Sequence, residues 1–216
     1  MDNNNADEFV EHMLVYDSKS KLIRNLFWNR IFTSIKFAEI KNNSIVLDIG
    51  CNTGHLLKSI RKINTNCECW GMDIEPKITT LKIDKCNFQV GDTRKMPFAE
   101  NYFTIIFALD ILEHIKDIEK AIKEIYRVLK PGGTFILCGP TESWFYKFCR
   151  FLHFGVYSKN VKCDKPGFRG EIDYHFHTID EIQRKFEKNG FKKIKQKSLP
   201  TFPIPSLFRI TRFQKI

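Results

Sequence analysis

The chain has 216 residues, 43% of them hydrophobic, enough for one globular domain with a sizeable core. No apolar run approaches the ~20 residues of a membrane-spanning helix, and the polar, acidic stretch MDNNNADEFVEHM lacks the basic and apolar regions of a secretory signal. The net charge of +10 is uneven, with 16 Lys and Arg against 7 Asp and Glu in residues 141–216, so it suits one electropositive face towards an anionic partner or membrane, or a solvated lysine-rich surface, rather than uniform coating of nucleic acid.

In chain order, residues 18–40 form an expected helix with Leu22, Leu26, Phe27, Ile31 and Ile35 apolar. SIVLDIG (44–50) reads as a strand and HLLKSIRKI (55–63) as a helix. CECWGMDI (67–74), NFQVGD (87–92), FTIIFALD (103–110) and GTFILCG (133–139) are further strands, apolar almost throughout and so buried on both faces, as parallel strands are. DIEKAIKEIYRVLK (117–130) has helical spacing, with Pro131-Gly132-Gly133 as its stop. TIDEIQRKFEKNG (178–190) is a second such helix, with a Thr178–Glu181 capping box and Gly190 at its end. FKKIKQKSL and LFRITRFQKI alternate apolar and basic residues, the pattern of an antiparallel edge pair.

The expected architecture is α/β: a Rossmann-like, doubly wound, seven-stranded, mostly parallel sheet with helices on both faces. Residues 1–216 form a single domain, with an N-terminal helical cap (1–43), a core (44–139), an insertion (140–175), and a C-terminal helix with edge strands (176–216). The insertion segment SWFYKFCRFLHFGVYSK (143–159), taken as a helix, gathers Trp144, Phe145, Phe148, Phe151 and Leu152 with Lys147 and Arg150 between them. Such a helix is a lid over an apolar substrate, an interfacial segment, or packing only; its aromatics could also stack single-stranded bases. PTFPIPSLF (200–208) adds further apolar surface. Seven scattered cysteines, of which only Cys67 and Cys69 are close, fit reduced thiols in the cytoplasm and form no zinc knuckle.

Open α/β sheets bind ligands at the carboxyl ends of their strands. Asp48, Asp73, Asp92 and Asp110 each end one expected strand, and buried carboxylates need partners. The first turn runs Gly50-Cys51-Asn52-Thr53-Gly54-His55, which lacks two glycines of the dinucleotide fingerprint and the Lys of a phosphate-binding P-loop. Acids around it would repel phosphate and suit a cationic ligand with hydroxyls.

VLDIGCNTG, GMDI, GDTRKMPF, FALDILEHI and RVLKPGGTFIL resemble, in order and spacing, the motifs of class I S-adenosylmethionine-dependent methyltransferases, the methyltransferase type 11 and quinone-biosynthesis group among them. The resemblance covers about residues 44–139 and departs at Asn52, where the family usually has glycine. It implies that Asp48, Gly50, Cys51, Asn52 and Gly54 hold the methionyl part of S-adenosylmethionine. Asp73 would accept the ribose hydroxyls, Ile74 would pack on adenine, and Asp92 with Thr93 would meet its amino edge. Leu109 and Asp110 would lie near the sulfonium. Helix residue Arg24 or Arg30 would reach the cofactor carboxylate, or simply belong to a packed amphipathic helix.

If the acceptor must lose a proton, His114, with Asp110, is the candidate catalytic set; the same histidine could instead cap the following helix. Asp110, Glu113 and His114 could, with His175 or His177, also ligate a divalent metal, although the same LEH run occurs in family members without one. The reading is of a cytoplasmic enzyme that methylates a small, hydrophobic or lipid-like acceptor, in peripheral contact with a membrane. An RNA methyltransferase, or a non-catalytic cofactor-binding scaffold that needs a partner, are the alternatives.

Overall fold

A computed structural model describes residue 16 and residues 19–64, 66–146, 175–201 and 205–216. Most of the expected aromatic insertion, including Lys147, Phe148, Arg150, Phe151 and Leu152, lies outside the described residues, as do residues 202–204.

Val46 and Leu47 are consecutive in β1 (Ile45–Ile49), point to opposite faces of the sheet, and are both fully buried. A strand buried on both faces needs helices above and below it. The chain supplies them in alternation: α1 (Lys21–Ala38), β1, α2 (His55–Ile63), β2 (Glu68–Asp73), β3 (Cys86–Val90), β4 (Phe103–Leu109), α3 (Ile118–Val128), β5 (Leu129–Pro140), α4 (Ile179–Lys188), β6 (Phe191–Leu199) and β7 (Phe208–Lys215). The sheet order is β3-β2-β1-β4-β5-β7-β6. Its first five strands run parallel, and β7 pairs antiparallel with both β5 and β6. This is the seven-stranded, doubly wound sheet expected from the sequence.

On one face, Val46, Phe107 and Ile136 pack with Ile31 and Ile35 of α1 and Leu57 and Ile60 of α2. On the other, Leu47, Ile106 and Leu137 pack with Ile122 and Ile125 of α3 and Ile182 and Phe186 of α4. Ser20 caps α1, its Oγ accepting from the Ile23 amide at 3.5 Å, and the Thr178–Glu181 capping box opens α4 as its sequence indicates.

Two boundaries differ from expectation. Helix α3 ends at Val128 rather than 130, and β5 begins at Leu129 rather than 133. Leu129 is fully buried and pairs with Phe103, after which the ladder resumes at Thr134 opposite Ile105. Residues 130–133, with Gly132 at φ 71°, are therefore a bulge inside the strand. Proline and glycine do stop the helix, but core demand for Leu129 returns the chain to the sheet at once. Likewise, of the β6–β7 pair only β6 is an edge. β7 lies inside the sheet with Phe208, Ile210, Thr211 and Phe213 buried, and the β6 lysines discourage pairing with another chain.

The order reverses between β1 and β4, whose carboxyl ends form the crevice where open α/β sheets hold their ligands.

Candidate active site

Between β1 and α2 the chain turns through Gly50 (φ 70°), Asn52 (φ 43°) and Gly54 (φ 72°), all left-handed. Asparagine tolerates this region better than most residues, which is how Asn52 stands in for a glycine. A Cβ on Gly50 would lie 2.9 Å from Ile111, and one on Gly54 would lie 2.6 Å from Ile83 Cδ1. Both glycines thus combine an unusual backbone angle with a close approach.

The end of β2 pins this turn. Gly50 and Cys51 amides donate to the Met72 carbonyl at 2.7 and 3.1 Å. The Asn52 amide donates to Asp73 Oδ2 at 3.0 Å, while the Glu75 amide donates to Oδ1 at 3.1 Å. Each carboxylate oxygen has a second lone pair, so Asp73 still has acceptor capacity to offer a ligand. Asp48 is buried in β1, and burial, then the neighbouring Asp73 charge, raises its pKa well above the usual carboxylate range. A cation between these two acids would oppose both effects.

The other expected site residues are placed less uniformly. Ile74 follows β2 with 60% of its surface exposed, and Thr93 is buried. The Asp92 carboxylate is clamped by Arg94, whose Nε lies 3.0 Å from each oxygen and whose Nη2 lies 2.6 Å from Oδ2. That pairing, with the Arg94 amide, holds the Asp92 carboxyl below its ordinary pKa.

Asp110 sits just past Leu109 in left-handed backbone (φ 54°) and forms an ion pair with Arg30 of α1. The Arg30 guanidinium also donates to the Tyr16 hydroxyl at 2.8 Å and packs against the rings of Phe27 and Phe208, which touch each other edge-on, at 4.8 and 4.9 Å from their centroids. The structure therefore commits Arg30 to Asp110. Of the two roles that the sequence left open for Arg30, this is the packed one. Helix α1 reaches the crevice in a second way. The His55 ring stacks on Tyr16 at 4.6 Å, meets Trp28 at 5.7 Å, and its Nδ1 is 2.6 Å from Thr53 Oγ1. Sequence reasoning gave no role to His55, although it adjoins the turn, or to Tyr16, which no spacing links to it.

Beyond Asp110, a short 3-10 turn (Leu112–His114) carries Glu113 and His114. The Phe176 amide donates to the Glu113 carbonyl at 2.8 Å and so brings His175 alongside. Possible ligand atoms of Glu113, His114 and His175 lie within 4.8 Å of one another. The two imidazoles meet edge-on at 4.8 Å, and His175 Nδ1 is 2.6 Å from Glu142 Oε1. Of the residues considered as metal ligands, Asp110 turns to Arg30, and His177 Nε2 lies 3.2 Å from the Lys116 carbonyl. The assembled group suits proton transfer or cation binding. Glu142, its fourth member, was missed because it is separated from the others in sequence and only the end of β5 delivers it.

Both Glu113 carboxyl oxygens are buried without a hydrogen-bond partner among the described residues. Burial pushes this carboxyl up to about 7 from 4.5, with Glu142 adding to the rise, while its own backbone amide, His175 and Arg30 oppose it. Between those values the unfolded chain has released the proton and the folded chain retains it. The contribution is therefore fully present below about pH 4.5 and is lost as pH rises through 7, by about 3 kcal/mol. Glu113→Gln should remove this dependence. Urea unfolding at pH 5 and pH 8 should show the variant gaining on the parent by about that amount at the higher pH; parallel pH dependences would overturn the assignment.

Residues 47–137 match a family model described as a methyltransferase domain. The chain is 35% identical over 171 residues to the sterol 4-C-methyltransferase strm-1 of Caenorhabditis elegans, covering 74% of this chain and 48% of that protein. It is 32% identical over 112 residues to the ubiquinone/menaquinone biosynthesis C-methyltransferase UbiE of Neisseria meningitidis, covering 48% and 46% respectively. The chain thus spans about half the length of these relatives. Among solved structures, the N-methyltransferase NodS from Bradyrhizobium japonicum, in complex with S-adenosyl-L-homocysteine, superimposes with a TM-score of 0.63 at 15% identity, covering 92% of this chain and 89% of that one. That likeness is one of fold.

Proposed function

We propose that the protein is an S-adenosylmethionine-dependent methyltransferase acting on a small, hydrophobic or lipid-like acceptor, a reading supported by the match of residues 47–137 to the methyltransferase-domain model. One observation carries the reading: within the matched span, a left-handed glycine turn is pinned by the Asp73 carboxylate beside a buried Asp48.

The residues present fit this cofactor. Asp48 and the turn Gly50, Cys51, Asn52 and Gly54 would hold its methionyl end, where an ammonium would relieve the repulsion between Asp48 and Asp73. Asp73 would accept ribose hydroxyls with its remaining lone pairs, and exposed Ile74 would cover the adenine. Thr93 and Asp92 would border the adenine edge, Asp92 with its charge already balanced by Arg94. Leu109 and Asp110 would flank the reacting centre. When bound, the cofactor supplies an electrophilic methyl group on a sulfonium with a good leaving group. The chain then has to position the acceptor and exclude water. His114, with Asp110 held by Arg30, would orient the acceptor and take a proton from it where one must leave.

The acceptor class is supported by the two relatives, one named for sterol and the other for quinone C-methylation. Contact with an anionic membrane surface from the cytoplasm agrees with Lys192, Lys193 and Lys197 exposed along β6, with Ile194 and Trp144 also exposed. No helix among the described residues is long and apolar enough to cross a membrane.

Incubating the full chain with methyl-labelled S-adenosylmethionine and host extract, then partitioning the products, tests this reading. Label should enter the organic phase and vanish with Asp73→Ala. Label confined to RNA would overturn the acceptor class and make the basic C-terminal third a binding track. Cofactor binding without label in any fraction would favour a scaffold that needs a partner.

A further inference from the structure

Cys67, Cys69 and Cys86 gather at the amino-terminal ends of β2 and β3, the opposite end from Asp73 and Asp92. Cys69 and Cys86 are register partners across this parallel pair. Their side chains share a face, and the strand spacing of about 5 Å lies within the Cα separation that a disulfide spans. Cys67 Sγ is 3.6 Å from Cys69 Sγ and donates to the Asn64 carbonyl at 3.4 Å. Cys67 and Cys69 are buried, whereas Cys86 is only partly so, and with Cys67 it lines an open cavity of about 660 Å3 bordered by Asn43, Asn66 and Lys85.

The surroundings divide the roles of the two paired thiols. Arg61 of α2 is buried among them, donating to the Cys67 carbonyl at 3.0 Å and facing Asp84 at 3.7 Å. The Cys69 thiol, and after it the Arg61 charge, hold the Cys86 thiol below its ordinary pKa against burial and Asp84. Cys69 is pushed up by its bond to Cys86 and by burial. A partly exposed thiol beside a cationic side chain, next to a buried thiol on the neighbouring strand, is the arrangement of an attacking and a resolving cysteine.

We propose that Cys86 and Cys69 are a hydroperoxide-oxidisable pair that closes a disulfide between β2 and β3. The Cys86 thiolate attacks a peroxide oxygen, the O–O bond breaks, and the departing oxygen leaves as water, giving a sulfenic acid. The Cys69 sulfur then attacks Cys86, the S–S bond forms, and the sulfenic oxygen leaves as a second water with the Cys69 proton. Two thiols lose two hydrogens and one peroxide is reduced to two waters. The inference rests on the strand pair alone and is independent of the methyl-transfer reading.

The test is to treat the reduced full chain with near-stoichiometric hydrogen peroxide and measure its intact mass and disulfide map. The expected result is loss of two hydrogens and one crosslinked peptide pair containing Cys69 and Cys86. Cys86→Ser should abolish the crosslink, Cys67→Ala should leave it, and Cys69→Ala should trap a dimedone-reactive Cys86. Cys86 is partly exposed and should accept serine, so this variant decides the matter if Cys69→Ala does not fold. An unchanged mass, a crosslink through Cys149 or Cys163, or oxygen addition without a crosslink would overturn the proposal and leave the cluster as small apolar core residues.

Discussion

Replacing Arg30 with methionine is expected to destabilise the protein by up to about 3 kcal/mol, since it breaks an ion pair that is buried on the Arg30 side while the Asp110 side chain keeps 27% exposure. Arg30 is 5% exposed, so its loss strands the Asp110 carboxylate next to the crevice and leaves a void against the rings of Phe27 and Phe208. It also removes the donor to the Tyr16 hydroxyl. The double variant Arg30→Met with Asp110→Asn should recover most of the loss, because a neutral amide is cheaper to leave there than a charge. Urea unfolding of the parent, both single variants and the double variant gives the coupling energy. A loss below about 1 kcal/mol for Arg30→Met would mean that the pair is solvated rather than buried.

The second large effect belongs to Asp73. Asp73→Ala should weaken S-adenosylmethionine binding by about 3 kcal/mol, roughly two orders of magnitude in Kd, if the carboxylate accepts hydrogen bonds from the ribose. Part of that loss would come through the turn, since the same carboxylate accepts from the Asn52 and Glu75 amides. Asp73→Asn separates the contributions. It keeps one acceptor oxygen for the protein but removes the charge, and it should fall between the parent and alanine. Calorimetric titration with the cofactor measures all three. A Kd for Asp73→Ala within threefold of the parent would remove Asp73 from the site, and with it the proposed cofactor geometry.

Much of this architecture was written in local pattern. The runs around Val46, Ile106 and Ile136 are apolar on both sides of the chain, and only a sheet covered on both faces can bury them. The Thr178–Glu181 box and the glycines of the first turn act within a few residues, so their signals survive in a linear reading. The strand after α3 was less legible. Its start at Leu129 depends on Phe103 across the sheet, which overrides the local message of proline and glycine.

By itself, the sequence determined the α/β class, the order of the elements and the four acids at the strand ends, because each depends on residues close together in the chain. Asp92 apart, which partner each acid takes was decided only by tertiary structure. Asp92 turns to Arg94 within its own loop, Asp73 reaches back to the Asn52 amide, and Asp110 meets Arg30 from a helix that precedes the whole sheet. The same holds for Glu113, His175 and Glu142, which meet where the segments after β4, after β5 and before α4 converge, and for Cys69 and Cys86, which parallel strands align although they are distant in sequence. A buried charge or thiol takes its pKa from neighbours across space, and no spacing along the chain records which neighbours those will be.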